Sequence, residues 1–191
     1  MCIRDRYTQS YKGVLNSNFS YSKIGLKATY VLQRINQSKT SFLIEADWAI
    51  GDVPLTHLFH AYPNAPTKET VLQRFSVAGR RTFETMYFGE FFSDKLATLQ
   101  ITHSIQPIMI AHWLKPELVF ISRYAIGDVD NVENHQGVTF SSLHKGYQEA
   151  GLEINKLFAG FGLSFAYRYG AYHLPKFDDN IAFKFTFYLK L

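Results

Sequence analysis

The stretch 181–191, I-A-F-K-F-T-F-Y-L-K-L, constrains the fold most, because apolar side chains occupy every second position along it. A period of two indicates a β-strand with two different faces. Soluble strands are usually about five or six residues long, whereas a strand that crosses a bilayer needs about 9–11. We interpret this stretch as the closing strand of an outer-membrane β-barrel. Its expected lipid-facing residues are Ile181, Phe183, Phe185, Phe187, Leu189 and Leu191.

The same alternation recurs along the chain and predicts an all-β, antiparallel transmembrane barrel with about 7–8 strands present. After a polar turn at 36–39, strands are predicted at 40–50, 95–105, 117–126, 147–157, 162–172 and 181–191. Another strand is predicted between residue 20 and that turn, and the ambiguous stretch 7–15 is a further candidate.

Charged side chains recur on the faces opposite the apolar ones. Because an Arg or Lys at the middle of the bilayer costs about 2–4 kcal/mol, we expect these residues to face the barrel lumen as a charge network. A pair of catalytic carboxylates is the alternative interpretation. The expected lumen-facing residues are Glu45, Asp47, Arg123, Glu149, Glu153, Arg168 and Lys184.

The segment 51–94 alternates only weakly and contains Pro54, Pro63 and Pro66. It is too long for an ordinary connection and is therefore expected to be functional or locally structured. If the chain ends at the periplasm, parity places 51–94, 127–146 and 171–180 outside the cell. The connections 36–39, 106–116 and 158–161 then lie in the periplasm, and as a set they are shorter, as is typical of outer-membrane barrels.

Composition excludes several classes of protein. No apolar run reaches the roughly 18 residues of a transmembrane helix. The net charge is +4, but the basic residues are scattered and no nucleic-acid-binding motif is present, so no nucleic-acid partner is expected. Cys2 is the only cysteine, which excludes an internal disulfide.

Residues 1–6 match no signal peptide. We expect them to be a non-native leader ahead of a barrel domain at 7–191 that lacks its upstream part. The expected location is the outer membrane of a Gram-negative bacterium. The expected partners are outer-membrane lipid, lipopolysaccharide and, during insertion, the barrel assembly machinery; the oligomeric state is open.

Several phrases of the sequence occur in the order found in a known family. They are F-G-E-F-F-S-D at 88–94, E-N-H-Q-G at 133–137, K-G-Y at 145–147 and Y-R-Y-G-A-Y-H-L-P at 167–175. From about residue 20 onward, the chain resembles Bacteroidota outer-membrane proteins that join a carboxypeptidase-regulatory-like domain to a C-terminal domain of unknown function. That family is similar to the BamA and bacterial surface-antigen barrels. The resemblance implies about sixteen strands, of which this chain carries the C-terminal half, and a role in envelope biogenesis or translocation.

The resemblance also implies a role for the segment 51–94. In the BamA superfamily, the longest extracellular loop precedes the fifth strand from the end, folds into the lumen and carries an Arg-Gly-Phe tip. The nearest equivalent here is G-R-R-T-F at 79–83, which departs from that order. The candidates that the resemblance implies for the lumen loop are Arg80, Arg81 and Phe83.

No catalytic, cofactor or metal site is expected. His57 and His60, near Asp52, have a spacing compatible with metal ligands, but histidines in such an aromatic segment are more often packed or solvated. The acidic stretch 128–134 lacks the spacing of a calcium loop.

The expected protein is therefore not an enzyme, and two alternatives remain open. One is an outer-membrane lipid hydrolase that uses His135 with Ser141 or Ser142. The other is a soluble, lipocalin-like barrel whose apolar faces point inward to bind an apolar ligand.

Overall fold

A computed structural model describes residues 1–14, 17–66, 76–111, 114–130, 132–135, 137–158 and 160–187. The fold is all-β. Its strands are β1 (Cys2–Ser10), β2 (Tyr21–Gln33), β3 (Lys39–Gly51), β4 (Pro63–Ala65), β5 (Phe83–Tyr87), β6 (Lys95–Ser104), β7 (Glu117–Asp128), β8 (Tyr147–Phe158), β9 (Phe161–Tyr169) and β10 (Ile181–Phe187). Short 3-10 helices lie at Leu55–His57, Val132–Asn134, Gly170–Tyr172 and Phe177–Asn180. In the described part of the chain, no helix is long and apolar enough to cross a membrane.

Eight strands form one large antiparallel sheet in the order β1-β2-β3-β6-β7-β8-β9-β10. The sheet is open, since β1 and β10 are its two edges and do not pair with each other. The remaining strands, β4 and β5, form a separate parallel pair inside the 51–94 segment. The antiparallel all-β fold expected from the alternation is confirmed.

Some predicted strand boundaries are wrong. The candidate strand at 7–15 differs from the structure, in which β1 begins at Cys2 and pairs with β2 from Cys2↔Thr29 to Ser10↔Tyr21. Residues 2–6, which the sequence predicts to be a leader, therefore belong to the sheet, because backbone pairing does not require alternating side chains. The strand predicted at 162–172 ends at Tyr169, since Gly170 (φ +82°) starts a 3-10 turn. Residues 188–191 of the predicted last strand lie outside the described residues.

The sheet has two faces of opposite character. One face packs against the 51–94 segment and is called the covered face; the other is the open face. Alternation along β7 to β10 is regular, with one side buried and the other more exposed. The buried polar residues of the covered face include Glu45, Thr98, Gln100, Arg123, Glu149, Glu153, Asn155, Ser164, Arg168, Lys184 and Thr186.

The open face carries large apolar side chains from β2 to β10. They are 41–54 % exposed and comprise Ile24, Leu26, Ile44, Trp48, Ile50, Phe120, Ile126, Phe165, Phe183 and Phe187. The polarity is therefore opposite to that of a water-soluble sheet, which buries its apolar side.

The 51–94 segment supplies half of the apolar core. The core comprises Ala61, Phe83, Met86, Phe91, Leu96, Ala125, Leu143 and Tyr147. Leu96 departs from the alternation of its predicted strand, and the structure gives the reason: it lies on the covered face in contact with this core.

The same segment also reaches the edge strand β10. The Phe185 N–H donates to the Ser76 carbonyl at 3.0 Å, and the Ala78 N–H donates to the Phe185 carbonyl at 2.8 Å. This short parallel pairing protects part of an otherwise free edge.

Candidate functional site

Glu84 of β5 is the centre of a buried charge network between the 51–94 segment and the covered face. The side chain is 1 % exposed, and one of its carboxylate oxygens lies 2.8 Å from the Lys184 ammonium of β10. Asn64, Thr82 and Gly79 donate hydrogen bonds to the same carboxylate at 2.7, 2.6 and 3.1 Å. A carboxylate this buried requires such a set of donors and a cation, since an unpaired buried charge is strongly unfavourable.

Glu149 of β8 forms the second buried pair. It accepts a hydrogen bond from Arg123 of β7 at 2.7 Å, while its other oxygen accepts from the Thr85 N–H at 2.8 Å and the Thr85 hydroxyl at 2.6 Å. The Tyr147 hydroxyl lies 2.8 Å from the same Thr85 oxygen. Arg123 is also 3.9 Å from Glu84, so the two carboxylates share one guanidinium.

Arg168 of β9 holds the end of the 51–94 segment through a bidentate ion pair. Its guanidinium donates to both oxygens of Glu90, at 2.7 and 3.1 Å. It also lies 4.7 Å from the centre of the Tyr147 ring, in cation–π distance. The planar fork of Arg matches a carboxylate in a way that Lys does not.

Glu45 of β3 anchors the tip of the segment. It pairs with Lys27 of β2 and lies 3.4 Å from Arg81. The Gln100 amide donates to the Arg81 carbonyl at 2.6 Å, which fixes the backbone at the same point.

The three loop candidates behave differently. Phe83 is fully buried and packs edge-on against Tyr147, with ring centres 5.5 Å apart, whereas Arg81 reaches Glu45 and Arg80 is exposed.

Two of the predicted charges stand apart from this network. Asp47 is partly buried and lies 3.9 Å from Arg6 of β1. Glu153 is buried and accepts a hydrogen bond from Asn155 at 3.2 Å. The structure thus brings Glu45, Arg123, Glu149, Arg168 and Lys184 into contact with the segment, while Asp47 and Glu153 have other partners.

The phenols inside the segment remain neutral hydrogen-bonding groups. Burial raises the pKa of Tyr62, and the nearby carboxylates Glu45 and Asp47 raise it further. Burial also raises the pKa of Tyr87, with Asp179 and Glu90 adding to the effect. Because an ordinary tyrosine pKa is already about 10, both hydroxyls stay protonated at neutral pH.

Sequence reasoning missed Glu84 and Glu90, the two acids that the segment contributes. The sequence did contain a signal. Three of the residues predicted to face the lumen, Arg123, Arg168 and Lys184, are cations, and buried cations need acidic partners. The pattern F-E-T-M-Y at 83–87 places a charged residue inside an aromatic and apolar run, which is unusual for a solvated loop.

The residues considered for metal binding and catalysis are found in other contacts. His57 lies 3.1 Å from the Tyr21 hydroxyl, and His60 packs edge-on against Phe92. His135 packs near Phe140, while Ser142 hydrogen-bonds His144 at 2.8 Å instead. Among the described residues, no group of three or more His, Cys, Asp or Glu side chains is arranged to hold a metal ion.

The expected lipid-facing residues of the last strand divide into three groups. Phe183 and Phe187 are exposed on the open face. Ile181 and Phe185 are half-buried, and the backbone of Phe185 pairs with residues 76–78 of the 51–94 segment. Leu189 and Leu191 lie outside the described residues.

The arrangement holds the 51–94 segment in place by ion pairs and hydrogen bonds. No protein-family model matches the chain, and neither a curated protein nor a solved structure is significantly similar to it.

Proposed function

We propose that this chain is part of an integral outer-membrane β-barrel in which the open face contacts lipid and the covered face lines a lumen. Its 51–94 segment lies inside that lumen, held by the charge network around Glu84, Glu90 and Glu45. In line with the family resemblance, the proposed role is envelope biogenesis or translocation, without bond chemistry.

The single observation that carries the proposal is the inverted polarity of the sheet. Water-soluble monomers rarely expose a contiguous apolar patch of more than a few hundred Å². Here large apolar side chains from β2 to β10 are about half exposed on one face, while Arg123, Arg168 and Lys184 are almost completely buried on the other. Lipid is the environment in which this arrangement is favourable, since charged side chains at the lipid face are costly.

This polarity also favours the proposal over the lipocalin-like alternative, which requires an apolar interior. The covered face instead presents Glu, Gln, Asn, Arg and Lys side chains to its neighbours. A solubility measurement separates the two, because a lipocalin-like protein would leave the membrane fraction under a carbonate wash.

The direct test uses Trp48, which is 51 % exposed on the open face. A Trp113→Phe variant leaves Trp48 as the only tryptophan, because the chain has two. In vesicles, lipid brominated on its acyl chains is expected to quench Trp48 fluorescence strongly, whereas aqueous acrylamide quenches it weakly.

The matched control moves the tryptophan to an exposed connection, with Lys176→Trp in a Trp48→Phe, Trp113→Phe background. That tryptophan is expected to respond to acrylamide and not to brominated lipid, since Lys176 lies beyond the strands. If Trp48 is quenched by acrylamide as readily as the control and is insensitive to brominated lipid, the open face does not contact lipid and the proposal fails.

A further inference from the structure

A cavity of about 460 Å³ lies on the covered face, beyond the tip of the 51–94 segment. Its walls are formed by the ends of β2, β3, β6, β7 and β8 that lie near the 34–38 and 105–116 connections, and its roof by residues 79–81. The volume is in the range of small-molecule sites, which run from about 300 to 1,000 Å³. Only a few residues at the edge of this cavity also belong to the charge network.

Basic side chains dominate the charged lining. The cavity is lined by Lys27, Lys39, Arg80, Arg81 and Arg123, against the acids Glu117 and Glu153. Glu117 pairs with Lys156 at 2.7 Å and also interacts with Lys39, while Glu153 accepts a hydrogen bond from the neutral amide of Asn155.

Among the described residues, the basic side chains of this lining outnumber the carboxylates that they pair with. Lys27 and Arg81 share Glu45, and Arg123 pairs with Glu149. Lys39 and Arg80 form no ion pair within the part of the chain that the structure describes.

Arg123 is a further charged residue of the cavity wall, and it is buried. It is 3 % exposed, and its Nε finds no hydrogen-bond acceptor. Because that Nε is itself enclosed, the guanidinium contributes only its charge to the wall. Together with Lys39 and Arg80, which form no ion pair among the described residues, it makes the site suited to an anion. Arg is the side chain whose donor geometry best matches a phosphate.

The rest of the wall is apolar, through Leu43, Val119 and Ile121. This combination fits a ligand with a charged oxyanion and a neutral remainder better than it fits a bare inorganic ion. We propose that this cavity binds an organic phosphate ester, with the phosphate held by Lys39, Arg80 and Arg81 and the neutral part against the apolar wall. The ester has two sources, a soluble metabolite or the headgroup of a lipid, which share this chemistry.

The test is calorimetric titration of the full chain, folded in a neutral detergent, with three probes. Glycerol 3-phosphate represents the soluble ester, dihexanoyl phosphatidic acid represents the lipid headgroup, and glycerol is the uncharged control. Both phosphates are expected to bind and glycerol is not. Dihexanoyl phosphatidic acid binding at least tenfold more tightly than glycerol 3-phosphate assigns the site to a lipid headgroup, and equal binding assigns it to a soluble ester.

Variants locate the binding. Lys39→Gln and Arg80→Gln are each expected to weaken phosphate binding by about tenfold or more, because each removes a charge-assisted hydrogen bond. Both side chains are exposed, so the fold is expected to persist, which circular dichroism checks. Lys176→Gln removes an exposed Lys far from the cavity and is expected to leave the affinity unchanged.

The proposal is overturned if the wild-type chain binds neither phosphate, or if both cavity variants bind as tightly as the wild type. These outcomes are independent of the tryptophan quenching experiment, because the cavity lies on the covered face and Trp48 lies on the open one.

Discussion

Replacing Glu84 by Gln is expected to loosen the 51–94 segment from the covered face. The substitution keeps the size of the side chain and removes its charge. Lys184, which is 4 % exposed, then loses its carboxylate partner at 2.8 Å and retains only the carbonyl of Asn64. The new amide NH₂ also replaces one of the two accepting oxygens, so it meets either the Asn64 donor or the Thr82 and Gly79 donors, depending on which way the amide is turned.

The magnitude follows from the burial of the pair. Removing one partner of a buried ion pair costs about 3–5 kcal/mol, because the remaining charge is left uncompensated. Arg123 keeps its main partner Glu149, and Lys184 keeps one hydrogen bond, so we expect the lower end of the range, about 3 kcal/mol. Since about 1.4 kcal/mol is a factor of ten, the population with the segment detached rises by roughly 100-fold.

Thiol labelling measures that population. Met86→Cys places a thiol within β5 of the segment, at a position that is 1 % exposed because it is packed in the core, in a Cys2→Ser background that has no other cysteine. Labelling then requires the segment to leave the covered face, so Glu84→Gln is expected to accelerate it by roughly 100-fold when opening is fast relative to labelling. Glu133→Gln, the same change at an exposed acid, is the control and is expected to have no effect.

A second variant distinguishes the loss of the Glu84–Lys184 ion pair from a general loss of stability. Adding Lys184→Met to Glu84→Gln removes the orphaned cation and is expected to slow labelling again, because apolar replacement of a buried pair is often close to neutral. Equal labelling rates for Glu84→Gln and its parent would refute the reasoning that this pair holds the segment.

Two further changes test other parts of the structure, both by urea unfolding. Arg168→Lys keeps the charge but loses the two-pronged pair with Glu90, and a loss of about 1.5–3 kcal/mol is expected, the value of one hydrogen bond to a charged group; wild-type stability would show that charge alone suffices. Gly127→Ala places a Cβ 2.6 Å from the Lys95 carbonyl oxygen and from Ser93 Oγ, and overpacking of this kind costs about 1–3 kcal/mol. An unchanged urea midpoint would mean that the sheet shifts to accommodate the methyl group.

Much of the sheet could be predicted from side-chain alternation. The predicted strands at 40–50, 95–105, 117–126 and 147–157 lie within two residues of β3, β6, β7 and β8 at each end. Alternation also separated Arg123, Arg168 and Lys184 from the apolar side of their strands, and the structure buries all three on the covered face. Period-two patterns are this informative because successive side chains of a strand point to opposite faces.

Only the part of the charge network that lies on the strands could be predicted from the sequence. The strands carry cations of the network in a regular pattern, but Glu84 and Glu90, the partners of Lys184 and Arg168, lie in a segment without periodicity. Contacts such as Glu84 with Lys184 join residues far apart in the chain, and no local rule connects them.

By itself, the sequence determined that the chain forms two-faced strands, one side polar and one side apolar, because that property is local and periodic. Only the tertiary structure decided which side is covered, since either face of an alternating strand can be buried. The 51–94 segment packs on the polar side because its Glu84 and Glu90 neutralise Lys184 and Arg168 there, which leaves the apolar side of the sheet exposed.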